Sequence, residues 1–149
     1  MTKLSEAMPF EVASLSLVRG KVYLVPKEEV SGMVVKPEEK DPQKFYIFLG
    51  LSTCEEKSVG VIINSRINPH IPSEKKDLHM PLCKKDGHHF LDHDSFVDCS
   101  TLCIVSAKKL LTCNHKHTLD STTTEMIIKT IRSSKFARPA VLKEYGLDV

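Results

Sequence analysis

The chain of 149 residues contains no long hydrophobic run. Its longest apolar segments, such as Phe45 to Leu51, are far shorter than the roughly 20 residues that cross a bilayer, so no membrane association is predicted. The N-terminus lacks the basic start and apolar centre of a secretory signal, and we therefore expect a cytoplasmic protein. Its five cysteines are then expected to be reduced thiols.

A large net charge and a glycine-rich loop are also missing. None of the glycines forms a P-loop or a Rossmann fingerprint, so no nucleotide cofactor is expected. No Gly-x-Ser-x-Gly turn is present, which argues against a serine hydrolase. A net charge of +2 is too small to attract nucleic acid on its own. Any basic site must therefore be a local cluster.

Ionisable side chains are concentrated in the segment from His88 to Ser100. These thirteen residues hold three histidines, three aspartates, two serines and a cysteine, and all seven histidines of the chain lie between His70 and His117. Imidazole, carboxylate, hydroxyl and thiol groups transfer protons and bind metals or phosphates near neutral pH. We therefore expect the functional chemistry in or near this segment.

Short runs of β-branched and aromatic residues recur up to residue 105, which is typical of a small barrel or sandwich. The runs at 44–51 and 59–63 are apolar throughout, so both are predicted to be central strands that are buried on two faces. Other strands are predicted at 18–26, 77–81, 90–91, 96–97 and 102–105. A small hairpin is predicted within the loop at 27–43, around residues 33–35.

A helix is predicted at 122–133. Thr122 and Glu125 have the spacing of a capping box, and an apolar stripe at helical period is expected to face the core. The residues of the stripe are Met126, Ile127, Thr130 and Ile131.

We expect a single domain over residues 1–149, with a leader at 1–14, a barrel at 18–105 and a helical C-terminal part at 106–149.

Three stretches resemble the MazF/PemK/Kid family of growth-inhibiting toxins, which are SH3-like barrels that act as ribonucleases. Arg19–Val25 is similar to the family's opening strand, Gln43–Gly50 to its second strand, and Asp94–Val105 to a later strand pair that carries an aspartate. The resemblance implies a mainly β fold, an SH3-like small barrel with a C-terminal α-helix. It also implies a homodimer, a gate at 27–43 and an antitoxin protein as partner.

The chain departs from the family's pattern at several site positions. The family's second strand begins with Arg-Pro, and here Lys44 keeps the cation but loses the bidentate guanidinium. Ser65 and Arg66 follow the third strand, where the family offers a hydroxyl. The family's late Arg and Asp fall on Asp98 and Ser100, so an acid replaces a base and a hydroxyl replaces an acid.

The resemblance implies a sequence-selective endoribonuclease that cleaves single-stranded RNA by metal-independent acid and base catalysis. The alternative is a non-catalytic module of the same fold that binds RNA or protein. Cleavage requires a base for the 2′-hydroxyl, an acid for the leaving oxygen and a cation for the phosphorane. We expect His93 or Asp98 as base, a nearby histidine as acid, and Lys44 or Arg66 as cation. The candidate catalytic residues are Lys44, Ser65, Arg66, His93, Asp98 and Ser100.

A zinc site is a further alternative, because cysteine and histidine are suitable zinc ligands. No Cys-x-x-Cys pair occurs, so we expect buried reduced cysteines and surface histidines, with no metal and no cofactor. His70 and His79 each occur singly and are interpreted as polar surface residues. The ligands of the alternative site would be Cys83, His88, His93 and Cys99.

Overall fold

The computed structural model describes residues 13–148. The predicted leader at 1–14 lies outside this range except for its last two residues, which are buried. Among these residues the structure contains no helix that could span a bilayer. The elements are β1 (Lys21–Pro26), β2 (Gln43–Leu51), β3 (Lys57–Asn64), α1 (Ser73–Lys76), β4 (His79–Leu82), β5 (Ser95–Asp98), β6 (Cys103–Ser106), α2 (Ala107–Leu111), β7 (Asn114–Thr118), α3 (Ser121–Ser133) and α4 (Pro139–Glu144).

The seven strands form one antiparallel sheet, in which six follow the order β4-β5-β3-β2-β1-β7 and β6 pairs with β3. β5 and β6 share one edge of β3: β6 pairs with Lys57 to Gly60, and β5 pairs with Ile63 and Asn64. Within residues 13–148 no pairing joins β4 to β7, so the sheet is open and the expected closed barrel is not formed. The fold is a mixed α/β arrangement of this open sheet with a C-terminal helix.

The prediction of two central strands is confirmed. β2 and β3 lie in the middle of the sheet, and their inner residues are buried on both faces. The predicted hairpin at 33–35 and the predicted strand at 90–91 are wrong, since both segments are turns or irregular structure. β7 was not predicted, because its residues Asn114–Thr118 are polar and mostly exposed, and an edge strand of that kind carries no apolar signal.

One face of the sheet, the first face, is covered by α3. Ile127, Ile128 and Ile131 are fully buried in a core that includes Ile47 and Val61 of the central strands. The predicted stripe is therefore shifted, since Ile128 is buried where Met126 was expected, and Met126 is 54% exposed. The helix period was right, but its phase depends on how the helix lies against the sheet.

The start of α3 also differs from the predicted capping box. Asp120 is the N-cap residue, and its Oδ2 accepts a hydrogen bond from the backbone N–H of Thr123 at 3.0 Å. Thr122 therefore lies inside the first turn rather than at the cap. Aspartate is as good an N-cap as threonine, so the helix gains one residue at this end.

The opposite face, the second face, has a smaller apolar core under α2. Tyr46, Phe48 and Ile62 pack there with Leu110 of α2. Gly60 lies beneath the Tyr46 ring, where an added Cβ would approach the ring Cζ to 2.7 Å, so only glycine permits this packing. The apolar cover ends before the outer ends of the strands, which leaves part of this face open.

Candidate functional site

A row of polar side chains occupies the uncovered end of the second face. Lys44 lies two residues before buried Tyr46 and therefore faces the same side of the sheet. Its Nζ donates a hydrogen bond to Oδ1 of Asn64 on β3 at 2.7 Å. Further along the row, Asp98 of β5 pairs directly with His79 of β4 in the antiparallel register. Four neighbouring strands thus place a cation, an amide, a carboxylate and an imidazole side by side.

This row forms part of the wall of a cavity of about 740 Å³. That volume lies in the range of pockets that bind small molecules, and it is large enough for a nucleotide. Four of the six candidate catalytic residues line this cavity together. The polar lining includes Lys44, Asn64, Ser65, Arg66, His79 and Asp98.

The carboxylate of Asp98 is held in place by Ser100. Its Oδ1 accepts a hydrogen bond from the backbone N–H of Ser100 at 3.0 Å and another from the Ser100 hydroxyl at 2.5 Å. Ser100 lines a neighbouring groove rather than this cavity. Its contribution to the site therefore passes through the orientation of Asp98.

His79 contacts Asp98 from the adjacent strand and is the functional candidate that sequence reasoning missed. Its Nδ1 lies 2.8 Å from the carbonyl oxygen of Lys75, and because a carbonyl only accepts, Nδ1 carries the proton. Its Nε2 then lies 3.6 Å from Oδ1 of Asp98. The interpretation of His79 as a surface residue is wrong, since its side chain is only 3% exposed. The signal for this pair is the β4–β5 register, which a single sequence does not reveal.

Electrostatics distinguish Lys44 from an ordinary surface lysine. Burial, followed by the repulsion of Lys27, lowers the pKa of Lys44 below its usual value, while the carboxylates of Glu39 and Asp98 partly oppose this shift. A lysine with a lowered pKa releases a proton more readily at neutral pH. When protonated, it presents a partly desolvated cation to the cavity.

Ser65 and Arg66 lie at the exposed rim of the cavity, directly after β3. His93, in contrast, lies outside it. It is exposed, and its Nδ1 lies 3.0 Å from the carbonyl oxygen of Asp94. It lines a smaller adjacent cavity of about 210 Å³, which shares Lys44 and Ser65 with the main one. The structure therefore brings His79, rather than His93, next to Asp98.

The loop at 27–43, which the resemblance implies as a gate, borders the same cavity through Met33. Within the loop, Lys27 forms an ion pair with Glu39 at 3.0 Å. The backbone N–H of Ser31 donates to the carbonyl oxygen of Ile104 at 3.0 Å, and this contact holds the loop beside β6.

The alternative zinc site is not assembled. Cys99 is buried in the core of the first face, whereas His93 is exposed. Burial and then the charge of Asp98 raise the pKa of Cys99 to about 12, so in the metal-free protein this side chain is a neutral thiol. Within residues 13–148 no three His, Cys, Asp or Glu side chains are grouped to hold a metal. The alternative set was Cys83, His88, His93 and Cys99.

Comparison with known proteins adds no assignment. A scan against protein-family models finds no match for this chain, and a search of curated proteins finds no relative. The resemblance to the MazF/PemK/Kid toxins therefore rests on the three stretches described above.

Proposed function

We propose that this protein is a MazF/PemK-like toxin, a sequence-selective endoribonuclease that cleaves single-stranded RNA without a metal ion. The observation that carries the proposal is the row of Lys44, Asp98 and His79 on one wall of a cavity of nucleotide size. We further propose that the open sheet is related to the SH3-like barrels and that the protein is cytoplasmic. In this proposal it forms a homodimer and is neutralised by an antitoxin protein.

The carboxylate and the imidazole divide the proton transfers between them. Asp98 accepts the proton of the 2′-hydroxyl, and the freed oxygen attacks the adjacent phosphorus. Protonated His79 gives its Nε2 proton to the 5′-oxygen as the P–O bond breaks. The products are a 2′,3′-cyclic phosphate and a 5′-hydroxyl end. Asp98 then carries one extra proton and His79 has lost one, and exchange of both protons with solvent water restores the starting state.

The cations stabilise the charge that develops on the phosphorane. Lys44 reaches the cavity from β2, and its lost hydration favours contact with an anion. Arg66 lies at the rim, where its guanidinium has the geometry to bind two phosphate oxygens. Ser100 acts as a positioning residue, because its two hydrogen bonds keep one carboxylate oxygen of Asp98 fixed.

The test is incubation of metal-stripped protein with a long single-stranded RNA in EDTA, followed by mapping of the fragment ends. We expect 2′,3′-cyclic phosphate ends, and a loss of about 100-fold or more in rate for His79→Gln. His93→Gln tests whether the second histidine takes part, because His93 lies outside the cavity. His89→Gln is the matched control at an exposed position. Cleavage that survives His79→Gln but is lost in His93→Gln would move the site to the smaller cavity.

One observation favours the alternative of a non-catalytic binding module. The side chain of His79 is only 3% exposed, so a substrate must displace neighbouring groups before it reaches Nε2. A purely binding protein needs no such access. In the same assay this alternative predicts RNA that is bound by the protein and recovered intact.

A further inference from the structure

A second groove lies directly behind the wall of the catalytic cavity. It has a volume of about 550 Å³ and lies between α1, the turn after β5 and the start of α4. Its lining includes two cations and no carboxylate, and most of its floor is apolar. The lining residues that matter here are Lys75, Ser100, Leu102, Phe136, Arg138 and Tyr145.

The groove and the catalytic cavity share one wall. Ser100 lines the groove, while its hydroxyl bonds to Asp98, which lines the cavity. Lys75 also lines the groove, while its carbonyl oxygen holds His79. The cavity opens on the second face, whereas the groove is lined by Cys99 and Tyr145 of the first-face core, so an RNA chain that occupies both passes around the end of β5 at Ser100.

Phe136 presents an aromatic ring at the groove, and the side chain is 36% exposed. The Nζ atoms of Lys75 and Lys135 lie 5.2 and 5.5 Å from the ring centroid. Lys135 is also paired with Glu74, and Arg138 is an exposed cation that lines the same groove. Proteins that bind single-stranded nucleic acids combine such an aromatic platform for bases with cations for phosphates.

We propose that this groove binds nucleotides of the same RNA that flank the cleaved bond. One base stacks on Phe136, and the neighbouring phosphates contact Lys75 and Arg138. A stacking base takes the place of one ammonium group on the ring, and that ammonium group then pairs with a phosphate. The inference rests on the proposed function, since it extends the path of the RNA substrate beyond the catalytic cavity.

The positive charge of the groove favours RNA over a peptide that carries few acidic residues. Two lining cations without a lining carboxylate match a chain that carries a negative charge at every residue.

The experiment compares a dinucleotide, which fills the catalytic cavity alone, with a longer single-stranded oligonucleotide. Binding in EDTA is measured by fluorescence anisotropy, and cleavage of both substrates is measured in parallel. We expect Phe136→Ala and Arg138→Ala each to weaken binding of the longer RNA about tenfold and to leave dinucleotide cleavage unchanged. Phe136→Tyr keeps the stacking surface and should bind like wild type.

The matched controls lie on the outer face of α3, away from the groove. Met126→Ala removes an exposed apolar side chain, and Lys129→Ala removes an exposed cation; both should bind RNA like wild type. The salt dependence of RNA affinity separates phosphate contact by Arg138 from base stacking on Phe136. Arg138→Ala should reduce the slope of log affinity against log salt by about 0.7, while Phe136→Ala should leave this slope unchanged.

The outcomes distinguish this inference from the proposed function. Binding that depends on Phe136 without any cleavage would support RNA binding by the groove, but it would overturn the nuclease and, with it, the placement of the groove beside a cleaved bond. Cleavage with equal affinity of Phe136→Ala and wild type for the longer RNA would overturn the groove alone. An equal loss on both substrates would also overturn it, because the effect would then be structural. A wild-type protein that neither binds nor cleaves RNA would overturn both.

Discussion

The two faces of the sheet are built by the same strands but differ in how they end. On the first face, α3 covers an apolar core that reaches from Val22 through Ile47 and Val61 to Val97. On the second face, the apolar core under α2 stops near Tyr46, and the next residue on that side of β2 is Lys44. The first face therefore holds the larger apolar core, and the uncovered end of the second face holds the polar row.

The polar row shows how a sheet tolerates such side chains at the edge of a core. Each of the partly buried groups has a partner: Lys44 bonds to Asn64, the Asp98 carboxylate bonds to Ser100, and the ring of His79 bonds to a backbone carbonyl. Unpaired polar groups in this position would cost free energy on folding. The pairing fixes the orientation of these polar side chains.

The contrast between the two faces is tested most strongly by removing a charge from the uncovered end of the second face. Asp98→Asn keeps the shape and an oxygen that accepts from Ser100, but it cannot accept the 2′-hydroxyl proton. We expect the cleavage rate to fall about 10²- to 10⁴-fold, with a small change in the free energy of unfolding. Single-turnover cleavage and thermal unfolding of the same preparation measure both. A rate near that of wild type would remove Asp98 from the mechanism.

A substitution in the core of the first face should lower stability and leave cleavage unchanged. Ile128→Ala leaves a cavity in a fully buried position under the sheet and should lower the free energy of unfolding by about 2–5 kcal/mol. Cleavage per folded molecule should be retained. Met126→Ala, on the exposed side of the same helix, should change stability by less than about 0.5 kcal/mol in urea unfolding. Equal effects of the two substitutions would contradict the observed packing of α3.

Lys44 should make RNA binding sensitive to alkaline pH, because it is the cation of the polar row on the second face. Because the pKa of Lys44 is lowered, its ammonium is present below that pKa and is lost at a lower pH than in an ordinary lysine. Affinity should therefore decrease, by about tenfold, as pH rises through the lowered pKa. Lys44→Arg keeps its charge over this range and should bind without the alkaline decrease. A pH series of RNA titrations for both proteins provides the measurement.

The smallest expected effect concerns a polar pair inside the covered part of the second face. The hydroxyl of Tyr46 lies 2.9 Å from that of Ser58, which also donates to the carbonyl oxygen of Val105 at 2.8 Å. Tyr46→Phe should lower the free energy of unfolding by about 1 kcal/mol, because one buried hydrogen bond is lost. A double-mutant cycle with Ser58→Ala should show that the two losses are not additive. Additive losses would mean that the two hydroxyls do not interact.

The candidate site was partly accessible from sequence. Lys44, Ser65, Arg66 and Asp98 were each selected by residue type and by the resemblance, and the structure places all four around one cavity. His79 was not selected, because its importance comes from lying opposite Asp98 on a paired strand. Pairing between strands is a non-local property, and the sequence near His79 contains no trace of it.

The sequence by itself determined which segments become the central strands and the long helix. β2 and β3 follow from unbroken apolar runs, and α3 follows from a helical period, because both patterns depend on neighbours along the chain. Only the tertiary structure decided that the sheet stays open, that a polar segment becomes β7, and that α3 buries Ile128 instead of Met126. Those outcomes depend on register and on the phase of packing, which are set by contacts between residues far apart in the chain.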